Sequence, residues 1–168
     1  LVIGYGGGSV LDVAKAFSIG YCQNKKIDNF QGWDPPINKT LLKIGIPTIS
    51  GTGAEATKTC VLINKKKNIK LGINSFKSVY DFLILDPNLI KTVPKEQFFY
   101  TAMDSYIHSI ETINGNHRNV ISDLYSKKVV NLIVDIFKSN KVNTKENRIK
   151  LMTASYLGGL AISNSYVG

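Results

Sequence analysis

A short apolar run, Leu1 to Gly4, leads into Gly6-Gly7-Gly8-Ser9 and then into the amphipathic stretch Val10-Leu11-Asp12-Val13-Ala14-Lys15. A strand, a glycine-rich turn and a helix in direct succession form one unit of an α/β layer, which restricts the fold more than any other stretch of this chain. The glycines let the backbone approach a ligand closely, and the first N–H groups of the following helix have no intrahelical partners. Such a helix end favours an anion, a diphosphate above all. Tight-turn chemistry accounts for the same residues, so the turn alone does not establish a nucleotide site.

A second feature lies in Ala102-Met103-Asp104-Ser105-Tyr106-Ile107-His108. Four-residue spacing on a helix places Asp104 and His108 on one face, where a carboxylate oxygen and an imidazole nitrogen can share one ion. A solvated Asp beside a satisfied His has the same spacing, and a metal site needs at least three protein ligands. The other histidine, His117, falls in the polar stretch Asn114 to Asn119 and is expected to be exposed rather than coordinating. Glu111, one turn beyond His108, reads as a helix-face residue or an outer partner of the ligands.

Along the chain, strand signals at Leu1–Gly4, Leu41–Ile46 and Phe82–Leu85 alternate with a helix over Ser9–Ile19. Thr59–Ile63 and Ile69–Ile73 flank the turn Lys65-Lys66-Lys67 and predict a β-hairpin. From Pro94 the apolar period becomes helical, with Phe98, Ala102, Tyr106 and Ile110 on one stripe, followed by helices over Ser122–Phe137 and Thr144–Ile162. The expected organisation is an α/β portion over 1–93 and an all-α portion over 94–168.

The 168 residues, 43% hydrophobic and 20% charged, are those of a globular chain. The formal charge of +9 raises the question of nucleic acid. Against it, Arg118 and Arg148 are the only arginines, and the lysines are scattered through turns and polar faces. Neither a polyanion partner nor a membrane is expected, since no apolar stretch approaches the roughly 20 residues of a bilayer span. Cys22 and Cys60 lack metal-site spacing and read as free thiols of a cytoplasmic protein. The chain starts within a strand and without Met. It is therefore expected to be a fragment, with both portions incomplete, poor solubility and exposed apolar surface.

Taken together, the two motifs resemble the iron-containing (group III) alcohol dehydrogenase family, with GGGSxxDxAK at Gly6–Lys15 and a GMDxxxHxIE-like helix at Ala102–Glu111. The likeness continues through Ile46–Thr57, similar to a second nucleotide-contacting loop, and Leu85-Asp86-Pro87. It implies the dehydroquinate synthase-like fold of that family and a metal-dependent alcohol oxidoreductase. Ser9 and the Asp-x-x-x-His pair resemble the alcohol dehydrogenase branch rather than the lyases. Ser9 departs from the strict Rossmann fingerprint, in which a glycine would stand there.

By resemblance, Gly7, Gly8 and Ser9 hold the pyrophosphate of NAD or NADP, Asp12 and Lys15 belong to the same motif, and Thr48, Ser50 and Thr52 line the adenine and ribose side. Lys70 stands near the nicotinamide ribose. From the residues alone, Asp12 could equally favour the helix dipole and Lys15 be a surface cation. The resemblance makes Asp104 and His108 the first two ligands of a set of one Asp and three His, with Fe²⁺ as the metal and Zn²⁺ or Mn²⁺ as alternatives. The other two histidines would lie outside this chain. The implied partners are a small-molecule alcohol or sugar acid and, at full length, a second copy in a homodimer.

A narrower likeness at Phe30–Asp34, Ser50–Val61, Asn114–Asn119 and Ser155–Gly159 is to the branch containing 3-deoxy-D-manno-octulosonate (Kdo) 8-oxidase. It implies oxidation of the C8 hydroxyl of a lipopolysaccharide sugar acid, with oxygen as a further candidate acceptor. The alternatives are a general NAD(P)-dependent alcohol dehydrogenase and, if the truncation is real, an inactive nucleotide-binding remnant.

Overall fold

The computed structural model describes residues 1–65 and 68–165. The first strand, β1 (Val2–Gly6), runs through the turn into α1 (Gly8–Gln23), which ends where Asn24 takes a left-handed conformation at φ 48°. Next come the two-residue β2 (Gly32–Trp33), β3 (Lys43–Pro47), β4 (Thr59–Asn64), β5 (Ile69–Asn74) and the short β6 (Phe82–Leu83). Three helices follow: α2 (Lys95–Asn114), α3 (Val120–Lys138) and α4 (Lys145–Ser165). The α/β pattern followed by helices is as expected. Lys66 and Lys67 of the lysine turn lie outside the described residues.

The strands form two small sheets. One is parallel, in the order β1-β3-β6, with Ile3 beside Ile44 and Ile44 beside Phe82. The other joins the expected hairpin β4–β5, in which Cys60 faces Ile73, to β2 lying parallel to β5. Helix α1 belongs to the cores of both. Its Leu11 and Ala14 pack with Ala54 and Tyr80 near the first sheet, while Ala16 and Ile19 pack with Phe30, Ile37, Cys60 and Ile73 of the second. A third core joins Phe98 and Ala102 of α2 to Val129, Leu132, Ile133 and Ile136 of α3 and Leu151 and Ala154 of α4.

Element ends moved where caps decide them. Asn119 accepts from the N–H groups of Ile121 and Ser122 at 3.1 and 3.0 Å, and Ser122 returns a bond to its backbone. This capping box starts α3 at Val120, ahead of the expected Ser122. On the first sheet, Ile3, Tyr5 and Phe82 are each more than half exposed, an apolar face in line with the exposed surface expected from the sequence. None of the described helices is long and apolar enough to cross a membrane.

Candidate active-site cleft

The glycine turn and the Asp-His pair, some ninety residues apart in sequence, open onto the same cleft of about 490 Å³. Gly8, Ser9 and Asp12 line it together with Asp104 and His108, and Thr52 and Lys70 are also in the wall. Gly7 is the N-cap of α1, and no side chain caps this end, so the helix N-terminus remains available to an anion. A Cβ on Gly8 would come within 2.9 Å of the Thr52 hydroxyl, which explains the glycine: the turn and the second loop touch there. The two loops are also tied by the Thr48 N–H, which donates to the Gly6 carbonyl at 3.0 Å.

Not every expected cofactor residue reaches the cleft. Gly8, Ser9, Asp12, Thr52 and Lys70 line it, whereas Gly7, Thr48 and Ser50 are not among its lining residues. Ser50 is buried, and its hydroxyl has no hydrogen-bond partner among the described residues. Trp33, Ala54, Thr57 to Thr59, Val61, Asn74 and Ile162 complete the wall. The resemblance gives none of these an individual role; they come from β2, the loop before β4, β4, β5 and α4, which only the tertiary fold assembles.

Asp12 and Lys15 differ from the simplest reading of their positions. Asp12 does not serve the helix dipole; its Oδ2 accepts from the Val61 N–H at 3.1 Å, capping the outer edge of the hairpin. Lys15 is no surface cation. It is fully buried, and its ammonium donates to the Thr57 carbonyl and hydroxyl and to the Thr59 carbonyl at 2.9, 3.2 and 2.9 Å. Asp12 Oδ1 lies 3.8 Å away. Burial pushes the Asp12 carboxyl up and the Lys15 ammonium down, each opposed by the charge of the other. The cost of burying this lysine is offset by three acceptors and a carboxylate, and the pairing ties α1 to the cleft wall.

Also in the cleft wall, His108 Nε2 lies 3.7 Å from Asp104 Oδ1, with both side chains partly exposed. Burial raises the Asp104 pKa; His108 opposes this, Glu111 adds to it and Lys70 opposes it. The donor chemistry, one carboxylate and one imidazole facing a polar cleft, fits a divalent cation in kind. In number it falls short, because no three His, Cys, Asp or Glu side chains converge among the described residues. His117 is exposed, as expected, in the connection between α2 and α3, and is not among the residues lining the cleft.

Residues 1–87, more than half of the chain, match the iron-containing alcohol dehydrogenase family. The chain belongs to this family. It is similar to 4-hydroxybutyrate dehydrogenase of Clostridium kluyveri, 31% identical over 99% of this chain and 46% of that protein. Sulfoacetaldehyde reductase of Bilophila wadsworthia is 33% identical over 100% of this chain and 44% of its own length. The chain thus spans less than half the length of these curated relatives. Among solved structures, the fold matches sulfoacetaldehyde reductase from Bifidobacterium kashiwanohense in complex with NAD+, with a TM-score of 0.89 and 29% identity over 98% of this chain and 45% of that one. It also matches a 1,3-propanediol oxidoreductase, with a TM-score of 0.93 and 26% identity over 99% of this chain and 44% of that one. For this iron-containing alcohol dehydrogenase chain, the α/β nucleotide-binding region and the helical part therefore have close counterparts of known architecture.

Proposed function

We propose that this chain carries the dinucleotide cradle and two metal donors of an iron-type oxidoreductase that interconverts a primary alcohol and its aldehyde. The observation carrying this reading is the convergence of the Gly6–Ser9 turn and the Asp104/His108 pair on one cleft. The α/β part, 1–93, holds NAD or NADP, and the helical part, 94–168, presents Asp104 and His108 to Fe²⁺, with Zn²⁺ or Mn²⁺ as substitutes. Two further donors are supplied from beyond the described residues.

A cation held by Asp104 and His108 would supply Lewis-acid activation of a substrate hydroxyl, and a dinucleotide held at the turn would supply a hydride acceptor. The chain's own residues do the holding and aiming. The uncapped α1 N-terminus, with the backbone of Gly7, Gly8 and Ser9, receives the pyrophosphate, and the Ser9 hydroxyl adds a donor. Thr52 contacts the dinucleotide from the second loop, with Thr48 and Ser50 shaping that loop from behind. Lys70 bonds the nicotinamide ribose and offsets the negative charge of Asp12 and Asp104. Relatives named for 4-hydroxybutyrate, sulfoacetaldehyde and 1-propanol support a small alcohol or aldehyde substrate.

A narrower reading, oxidation of the Kdo C8 hydroxyl, is supported by the cleft wall. Trp33, Thr52, Thr57 and Val61, from segments similar to the Kdo oxidase branch, all line it. The test is to load the natural polypeptide carrying this sequence anaerobically with Fe²⁺ and follow NAD(P)H formation with 1-propanol and with Kdo, then oxygen uptake in air. NAD(P)H with either substrate, lost in His108→Ala while NAD+ binding persists, is the expected result. Oxygen uptake with Kdo alone would support the oxidase reading. Absence of NAD(P)+ binding and of any metal-dependent turnover would overturn the assignment.

A further inference from the structure

Ser155 belongs to α4, yet its hydroxyl reaches into the α/β part. It accepts from the Gly51 N–H at 2.8 Å and the Gly53 N–H at 3.2 Å, and lies 2.6 Å from Glu55 Oε1. Because the two backbone groups can only donate, the single hydroxyl proton is committed to Glu55. From the other side Ser105 on α2, the residue after Asp104, donates to the Gly51 carbonyl at 2.8 Å. One residue, Gly51, is therefore held at its N–H by α4 and at its C=O by α2.

The joint is buried and tight. Ser105, Ser155 and Glu55 are each no more than 1% exposed. Gly53, at φ +66°, lies so close to α4 that an added Cβ would come 2.7 Å from the Gly159 Cα, and a Cβ on Gly51 would collide with the Thr101 carbonyl of α2. On one side of the joint, Gly51 adjoins Thr52, which touches Gly8 of the cofactor turn. On the other, Ser105 adjoins Asp104.

We infer that Ser105 and Ser155 are positioning residues that set the separation between the dinucleotide turn and the Asp104/His108 pair. The inference rests on the function proposed above. Both hydroxyls are buried and bonded within the joint, Ser105 to Gly51 and Ser155 to Gly51, Gly53 and Glu55, so both serve the loop rather than a bound molecule. Each acts through the Gly51–Glu55 loop, and in hydride transfer a misplacement of ~1 Å can cost ~10²-fold in rate.

The test uses Mn²⁺ as a paramagnetic ion in the metal site and NAD+ as the ligand, in the natural polypeptide that carries this sequence. Relaxation of the nicotinamide protons by Mn²⁺ falls with the inverse sixth power of their separation and so reports the spacing without turnover. At saturating Mn²⁺ and NAD+, Ser105→Ala and Ser155→Ala should each change the relaxation severalfold, with the NAD+ dissociation constant unchanged. Ser105→Thr, which keeps the hydroxyl, should restore the wild-type value. Unchanged relaxation in both alanine variants would overturn the positioning role. If Ser155→Ala does not fold, Ser105→Ala, which removes one bond only, decides the question. Failure of the wild type to bind NAD+ or Mn²⁺ would instead remove the function on which the inference stands.

Discussion

The Lys15 ammonium and the Thr57 carbonyl meet at 2.9 Å in the interior, joining the helix behind the glycine turn to the wall of the cleft. Lys15 also holds the Thr59 carbonyl at 2.9 Å, and Thr57 and Thr59 both line the cleft. Truncating Lys15 would leave the Thr57 carbonyl unpaired, the Thr59 carbonyl with the Thr57 hydroxyl alone, and Asp12 without its nearest cation. Lys15→Met is expected to lower stability by about 3–5 kcal/mol, the usual cost of breaking a buried charge pair from one side. The check is the urea unfolding midpoint; a variant within 1 kcal/mol of wild type, as estimated from ~1 kcal/mol per ordinary hydrogen bond, would show the contacts to be dispensable.

Glu55 should give stability a distinctive pH dependence. Burial pushes its carboxyl above the ordinary 4.5, with the Ser155 hydrogen bond the largest opposing effect. A folded pKa above the unfolded one means the folded state holds its proton more tightly. Folding is thus weakened as pH rises from the unfolded value through the folded one. Glu55→Gln keeps an acceptor for Ser155 and does not titrate. Relative to wild type, the glutamine variant should gain stability as pH is raised from 4.5, measured by unfolding at a series of pH values. A constant difference across that range would contradict a raised Glu55 pKa.

Gly8 tests the cradle. Gly8→Ala should place its methyl against Thr52, whose hydroxyl lies 2.9 Å and methyl 3.2 Å from that position. The expected outcome is weaker NAD(P)+ binding with the melting temperature little changed, measured by calorimetric titration and thermal unfolding. Gly8→Ala combined with Thr52→Ala removes the clash and should recover part of the affinity. Equal loss in the single and double variants would mean that Thr52 does not shape the turn.

The two cysteines should separate cleanly by reactivity. Cys60 is fully buried, and its thiol is pushed up to about 12, chiefly by burial and then by Asp12. Cys22 is partly exposed. Since the thiolate is the reactive form, a disulfide-exchange reagent at pH 8 should label Cys22 in the native protein and reach Cys60 only on unfolding. Rapid titration of both thiols without denaturant would show that the hairpin core opens readily.

Local patterns were legible wherever a residue's neighbours in sequence are also its neighbours in space. The strand-turn-helix of Val2 to Gln23, the hairpin with Cys60 opposite Ile73, and the stripe of Phe98 and Ala102 follow from period and turn chemistry, and the structure differs by only a few residues at their ends. Asn119 illustrates those differences: cap geometry, rather than apolar period, set where α3 began.

Lys15, Glu55 and Ser155 illustrate the opposite case. As letters they look like a surface cation, a loop acid and a helix hydroxyl. Their partners lie 42 residues on for Lys15 and 100 residues apart for Glu55 and Ser155. Gly159 within α4 belongs with them, since a Cβ there would collide with the Gly53 carbonyl, whereas Gly158 faces open space. By itself, the sequence determined the α/β-then-α order, the glycine turn and the one-face placement of Asp104 and His108, because these depend on short-range geometry. Only the tertiary structure decided that turn and pair share one cleft and that a buried loop at Gly51 holds them together. A buried polar group must find its partners wherever the chain brings them, and that requirement is met across the fold rather than along the sequence.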